Sequence, residues 1–183
     1  MTKVKVGRVT NLSDARYCAG MGVDFLSFPA SIINPETYKE ITGWVAGPEF
    51  GIAIDTASIS VAAYSPSFVE VMAADVGLFN EQHKLFVCLN PKEWPAVKSM
   101  LYQSRHKIRF VELAVDAAET AVRQVAVEIA ADFDLLLKPA AHLNLKEILQ
   151  WPIAGISLEG TAEARPGLKE YPLSEILEKL EVE

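Results

Sequence analysis

Short runs of β-branched, aromatic and aliphatic residues alternate along the whole chain with stretches whose apolar positions recur every three or four residues. The runs at residues 4–9, 25–28, 50–54, 68–72, 85–89, 108–115, 133–137 and 154–158 read as about eight strands. Helical spacing predicts helices over 13–21, 35–44, 91–106, 117–131, 143–150 and 173–181. The helix starts carry their own chemistry. Asn11 or Ser13 can accept the first free amide hydrogens of one helix, and Asn34-Pro35-Glu36 and Asn90-Pro91 each set a cap before a proline at the first helical position.

Strand and helix in alternation imply an α/β fold with a parallel sheet, and about eight repeats imply a closed (β/α)8 TIM barrel. An open flavodoxin-like sheet is the alternative. The 183 residues are few for such a barrel, which usually needs about 200 or more. The helices must therefore be shortened. Only about a dozen residues separate Asp55 from Phe68, so the third helix reduces to two turns or a loop, and the fourth, near 75–82, is also short. No linker, low-complexity tract or composition shift divides the chain, so 1–183 reads as a single barrel domain.

Composition narrows the partners. Half the residues are apolar, the formal charge is −7 and the pI is near 5.1. An acidic chain of this kind does not neutralise phosphates, so no nucleic acid is expected. No apolar run reaches the roughly 18–20 residues that span a bilayer, and the N-terminal residues do not read as a signal peptide. Cys18 and Cys88 stand at no metal or redox spacing and read as packing residues of a reduced, cytoplasmic protein. Neither a cofactor nor a metal is expected.

Side chains on a strand alternate faces. On the sixth strand, Glu112, Ala114 and Asp116 share one side, and Val111, Leu113 and Val115 the other. With the apolar set under the helices, the same parity turns inward Lys5 and Gly7 on strand one, Glu70 and Met72 on strand four, and Ser157 and Glu159 on strand eight, with Lys138 at the end of strand seven. Lys5 and Lys138 thus face Glu70, Glu112 and Glu159. Buried charges persist only when paired, which leaves two readings. One is a structural ion network closing the barrel floor. The other is a polar pocket at the C-terminal mouth, where barrel enzymes keep their sites. Asp55 ends strand three on the mouth side, His142 follows strand seven, and Arg8 and Arg165 lie on loops at the same face, where a guanidinium can hold an anion. His83 and His106 precede strands and read as surface residues. The Ser-His-Asp order, the Walker motif and HExxH are all missing.

Two segments carry a resemblance. The first is Lys5-Val6-Gly7-Arg8-Val9-Thr10-Asn11-Leu12-Ser13-Asp14-Ala15, running on through Gly22-Val23-Asp24-Phe25-Leu26-Ser27-Phe28. The second is Gly155-Ile156-Ser157-Leu158-Glu159-Gly160-Thr161-Ala162-Glu163 with Pro166-Gly167-Leu168-Lys169-Glu170. Both resemble the corresponding parts of the phosphoribosylanthranilate isomerase family of tryptophan biosynthesis, in the right order. The resemblance implies an Amadori rearrangement that uses a strand-one Cys as base, a strand-six Asp as acid, an Arg clamp on the anthranilate carboxylate, and glycine-rich phosphate loops after strands seven and eight. In this chain the base position is Gly7, followed by Arg8 where the family has Gly. The clamp corresponds to Ser31, and the phosphate loops to Leu136-Leu137-Lys138-Pro139 and Glu159-Gly160-Thr161. Asp116 matches the acid. The expectation is a divergent isomerase-like barrel without the isomerase activity. Two alternatives stand beside it. One is an active isomerase or related sugar-phosphate enzyme that uses Asp116 with Arg8, Lys138 or His142. The other is a non-catalytic module for a small ligand or a protein partner. A small anionic or sugar-phosphate ligand would be met by Arg8, Asp55, Lys138, His142, Glu159, Gly160 and Thr161.

Overall fold

A computed structural model describes residues 2–55, 60–116, 120–140 and 143–160. Eight parallel strands close into a barrel in chain order: β1 (Lys3–Gly7), β2 (Phe25–Pro29), β3 (Glu49–Ala53), β4 (Phe68–Met72), β5 (Leu85–Leu89), β6 (Ile108–Val115), β7 (Leu135–Pro139) and β8 (Gly155–Glu159). The fold is thus the compact (β/α)8 TIM barrel that the alternation implied. The seam is the β1–β8 pairing, in register from Lys3 opposite Gly155 to Gly7 opposite Glu159.

The helices are as short as the length required. They are α1 (Leu12–Gly20), α2 (Pro35–Gly43), α3 (Trp94–Gln103), α4 (Thr120–Ala130) and the single-turn α5 (Leu145–Ile148). Asn11 caps α1 by accepting from the Asp14 amide at 2.8 Å, and Asn34 caps α2 by accepting from Thr37 at 2.8 Å. Among the described residues the connections after β3 and β4 contain only 3-10 turns, Val61–Ala63 and Ala73–Leu78. The long helix expected over 91–106 is broken into a 3-10 turn (Pro91–Glu93), α3, and a second 3-10 turn (Arg105–Lys107). Proline is the cause at its start. Pro95 has no N–H to donate and restricts Trp94, so an α-helix can begin there but cannot run through it. The helix expected over 173–181 lies outside the described residues. Among the described residues no helix is long and apolar enough to cross a membrane.

Outward-facing Val6, Leu26, Phe28, Ile52, Val87, Val111, Leu113, Val115 and Ile156 are fully buried in the main core. Inside the barrel the strand starts supply a second cluster: Phe25, Phe68, Phe86, Phe110 and Leu136. Phe68 stacks on Phe86 at 4.1 Å, and Phe25 meets Phe86 edge-on at 5.2 Å. Gly51 makes room for them, since a Cβ there would lie 2.3 Å from the Phe68 ring. The floor below the rings is closed by Arg109, which sits 5.0 Å over Phe25 and donates to both carboxylate oxygens of Glu49 at 2.5 and 2.7 Å. Arg109 is free to do this because the β5–β6 register jumps, with Leu85 opposite Ile108 and Phe86 opposite Phe110. The Lys5 network is therefore not the floor; it occupies the layer above the phenylalanines. Arg109→Met should cost about 1 kcal/mol, since the pair is bidentate but partly solvated. Urea unfolding of the variant beside the parent protein measures that loss.

Candidate functional site: a charged layer beneath the barrel mouth

Above the rings, Lys5 reaches into the centre of the barrel. Its side chain is 1% exposed, as is that of Ser157. Lys5 Nζ donates to Glu112 Oε2 at 2.6 Å and to Ser157 Oγ at 3.4 Å, and lies 2.8 Å from Glu70 Oε2. Burial alone would strip the proton from this ammonium, but the Glu112 and Glu70 carboxylates outweigh it and hold the pKa well above the usual lysine value. Burial likewise pushes the Glu70 carboxyl up. Lys5 opposes that and leaves it below its ordinary value. Lys5 and Glu70 are therefore charged at neutral pH, and the layer is preorganised with the Lys5 ammonium between the Glu70 and Glu112 carboxyl groups. Exposure rises from this centre toward the mouth: Glu112 is 2% exposed and Glu70 16%.

Cys88 belongs to the same layer. Its thiol lies 3.5 Å from Glu70 Oε1, and burial and the two carboxylates push its pKa well up, so it stays a thiol. The sequence reading missed it by treating both cysteines as packing residues. The alternation of Phe86 and Cys88 about outward Val87 carried the signal. Glu70, Cys88 and Glu112 bring ligand atoms within 4.8 Å of one another, as a metal site would. The Lys5 ammonium already stands between the two carboxylates, so this donor set has its cation tethered to β1.

The β7–β8 corner is also self-paired. Lys138 forms an ion pair with Glu159. Burial lowers the Lys138 pKa, while Glu159 and the nearby Glu112 raise it, and the net shift is upward. Pro139 offers no N–H, and the Ala140 N–H donates to Val115 O at 2.9 Å. The Gly160 N–H donates to Gly7 O at 2.7 Å. A Cβ on Gly160 would lie 3.3 Å from the Gly7 and Arg8 carbonyl oxygens, so glycine permits the close approach.

Gly7 itself has room. A Cβ there would find Lys5 Nζ at 3.6 Å, Leu158 O at 3.8 Å and Glu70 Oε2 at 4.0 Å. Arg8 follows at φ 55°, in the left-handed region that glycine adopts without strain. Arg8, Asp55 and Asp116 are exposed on the rim and make no side-chain hydrogen bond or ion pair among the described residues. The candidates His142, Thr161 and Arg165 lie outside those residues. The structure thus brings together Lys5, Glu70, Cys88, Glu112 and Ser157 as one group and Lys138 with Glu159 as another. Arg8, Asp55 and Asp116 stand apart on the rim.

An eight-stranded parallel barrel with a charged layer below its C-terminal mouth defines a (β/α)8 barrel protein whose polar groups converge where such barrels bind ligands. No family model and no curated protein matches the sequence. Solved structures do match. Phosphoribosyl anthranilate isomerase from Thermus thermophilus is 16% identical, with 99% of each chain covered and a TM-score of 0.72. N-(5'-phosphoribosyl)anthranilate isomerase from Pyrococcus furiosus is 13% identical over 100% of both chains, with a TM-score of 0.69. KGPDC from Streptococcus mutans is 9% identical over 87% of this chain and 88% of its own, at 0.67. The chain resembles phosphoribosylanthranilate isomerases in fold over nearly its full length.

Proposed function

We propose that this barrel does not carry out the phosphoribosylanthranilate rearrangement and that its mouth is a binding site for a small ligand. The state of the β7–β8 corner carries this reading. A phosphate is best held by free backbone amides. At the positions that the resemblance assigns to that task, Pro139 has no amide hydrogen, the Gly160 N–H is bonded to the Gly7 carbonyl, and Lys138 is paired with Glu159; the N–H of the neighbouring Ala140 is bonded to the Val115 carbonyl. The Glu159 carboxylate would repel an entering phosphate by roughly 1 kcal/mol or more. Gly7 supports the same reading, since it has no group to take a proton at the end of β1.

The test is turnover of phosphoribosylanthranilate by the purified protein. No rate above buffer is expected, and a saturable rate would overturn the proposal. Gly7→Cys should fold normally, given the space around that Cβ, and should remain inactive because the phosphate grip is still missing. One observation favours an enzyme instead. Arg8 holds a backbone conformation that costs a non-glycine residue about 1 kcal/mol, and such strain collects at functional sites. In that second reading Asp116 is the acid, with Arg8, Lys138 or His142 recruited, and Asp116→Asn abolishes turnover.

A further inference from the structure

We infer that the ligand of the mouth is an uncharged, hydroxyl-rich molecule, a polyol or sugar without a phosphate, seated between Glu70 on β4 and the Lys138–Glu159 pair on β7 and β8. The inference rests on the small-ligand reading above and names the chemistry that the charged layer selects. Glu70, Lys138 and Glu159 are the members of the layer open to the mouth, at 16%, 35% and 43% exposure. They offer the mouth one ammonium donor and two carboxylate acceptors. With Lys5 and Glu112 behind them, two ammonium groups face three carboxylates.

Each charged ligand class meets a like charge here. A phosphate or carboxylate entering this space comes against Glu70 and Glu159 and finds the Gly160 amide already bonded. An amine that reaches Glu70 comes up behind the Lys5 ammonium, 2.8 Å from the same carboxylate. A hydroxyl donates and accepts at one atom, so it fits between an ammonium and a carboxylate in either order. The layer also keeps unused capacity. Ser27 Oγ is fully buried and makes no hydrogen bond of good geometry, whereas Glu70 Oε2 is taken up by the Lys5 ammonium at 2.8 Å. A polar layer complete in itself would not leave that hydroxyl spare.

Saturation-transfer NMR with D-ribose and with ribose 5-phosphate tests the inference on the native chain. Ribose is expected to bind saturably and ribose 5-phosphate more weakly. Lys138→Met, in a half-exposed side chain, should weaken ribose about tenfold, as loss of one hydrogen bond to a charged group does. Circular dichroism confirms that this variant is folded. Ribose 5-phosphate binding more tightly than ribose overturns the inference, and so does the absence of a saturable ribose signal, or ribose binding that ignores Lys138→Met. These outcomes are separate from the turnover assay. Absent turnover with absent ribose binding sinks the ligand class alone, whereas isomerase turnover sinks the reading beneath it.

Discussion

Lys5→Met is expected to lower the stability of the barrel by roughly 3–5 kcal/mol at neutral pH, the usual cost of removing one partner from a buried ion pair. In a chain of this size that corresponds to a fall in Tm of roughly 6–20 °C. Methionine keeps the volume, so the loss is electrostatic: Glu112, 2% exposed, loses a 2.6 Å partner, and Glu70 loses the cation 2.8 Å away. The pH dependence identifies the cause. In the parent protein the Glu70 carboxyl is held below its ordinary value near 4.5. Its contribution is therefore present above that value and is lost as pH falls through the native one. Lys5 is held above 10.5, so its contribution is complete below that pH and is lost as pH climbs through the native value. The parent should show a plateau from about pH 5 to pH 10. In Lys5→Met, acid protonates the Glu70 carboxylate, which has lost its counter-charge, so the deficit should shrink as pH drops toward 4.5. Adding Glu70→Gln and Glu112→Gln to Lys5→Met should recover most of the loss at pH 7. Urea titrations at both pH values decide it; a deficit under about 1 kcal/mol at pH 7 would mean the layer is solvated rather than buried.

Much of this layer was legible in the sequence because a strand has a period of two. Once Val111, Leu113 and Val115 are placed outward, Glu112 must turn inward, and the same argument on β1, β4 and β8 places Lys5, Glu70 and Ser157. Parity gives the face but not the height along the barrel axis. Parity alone therefore fits the charges to the floor as readily as to the mouth, whereas the floor belongs to Phe25, Phe68, Phe86 and Phe110. Arg109 could not be anticipated, because its turn across the floor depends on a register jump between β5 and β6 that leaves no local signature. Cys88 does not stand out in the sequence, because a cysteine without a spaced partner reads as a small hydrophobe. The chemistry of the β7–β8 corner was half visible. Pro139 declares its missing N–H in the sequence, whereas the partner of the Gly160 N–H is decided by the β1–β8 register that sets Gly7 opposite Glu159.

That seam is the second place where a single atom should matter. Gly155→Ala is expected to cost about 3 kcal/mol or more, the upper end of what overpacking does. The added Cβ would stand 2.0 Å from the Lys3 carbonyl oxygen and 2.7 Å from its carbonyl carbon. These are backbone atoms, so no side chain can swing aside and β1 must move away from β8. The movement would carry Lys5 with it, because Lys3 opposite Gly155 and Lys5 opposite Ser157 belong to one register. Gly7→Ala is the control on the same seam, two pairs closer to the mouth than Ser157. Its Cβ would have no neighbour nearer than 3.6 Å, and its effect should stay within about 1 kcal/mol. Thermal unfolding of the two variants side by side measures the contrast. Equally small losses would show that the seam tolerates a methyl group at its base as well as at its mouth, and would remove close packing as the reason for glycine at 155. A large loss confined to Gly155→Ala would tie the position of Lys5, and with it the charged layer, to the closure of the barrel beneath it.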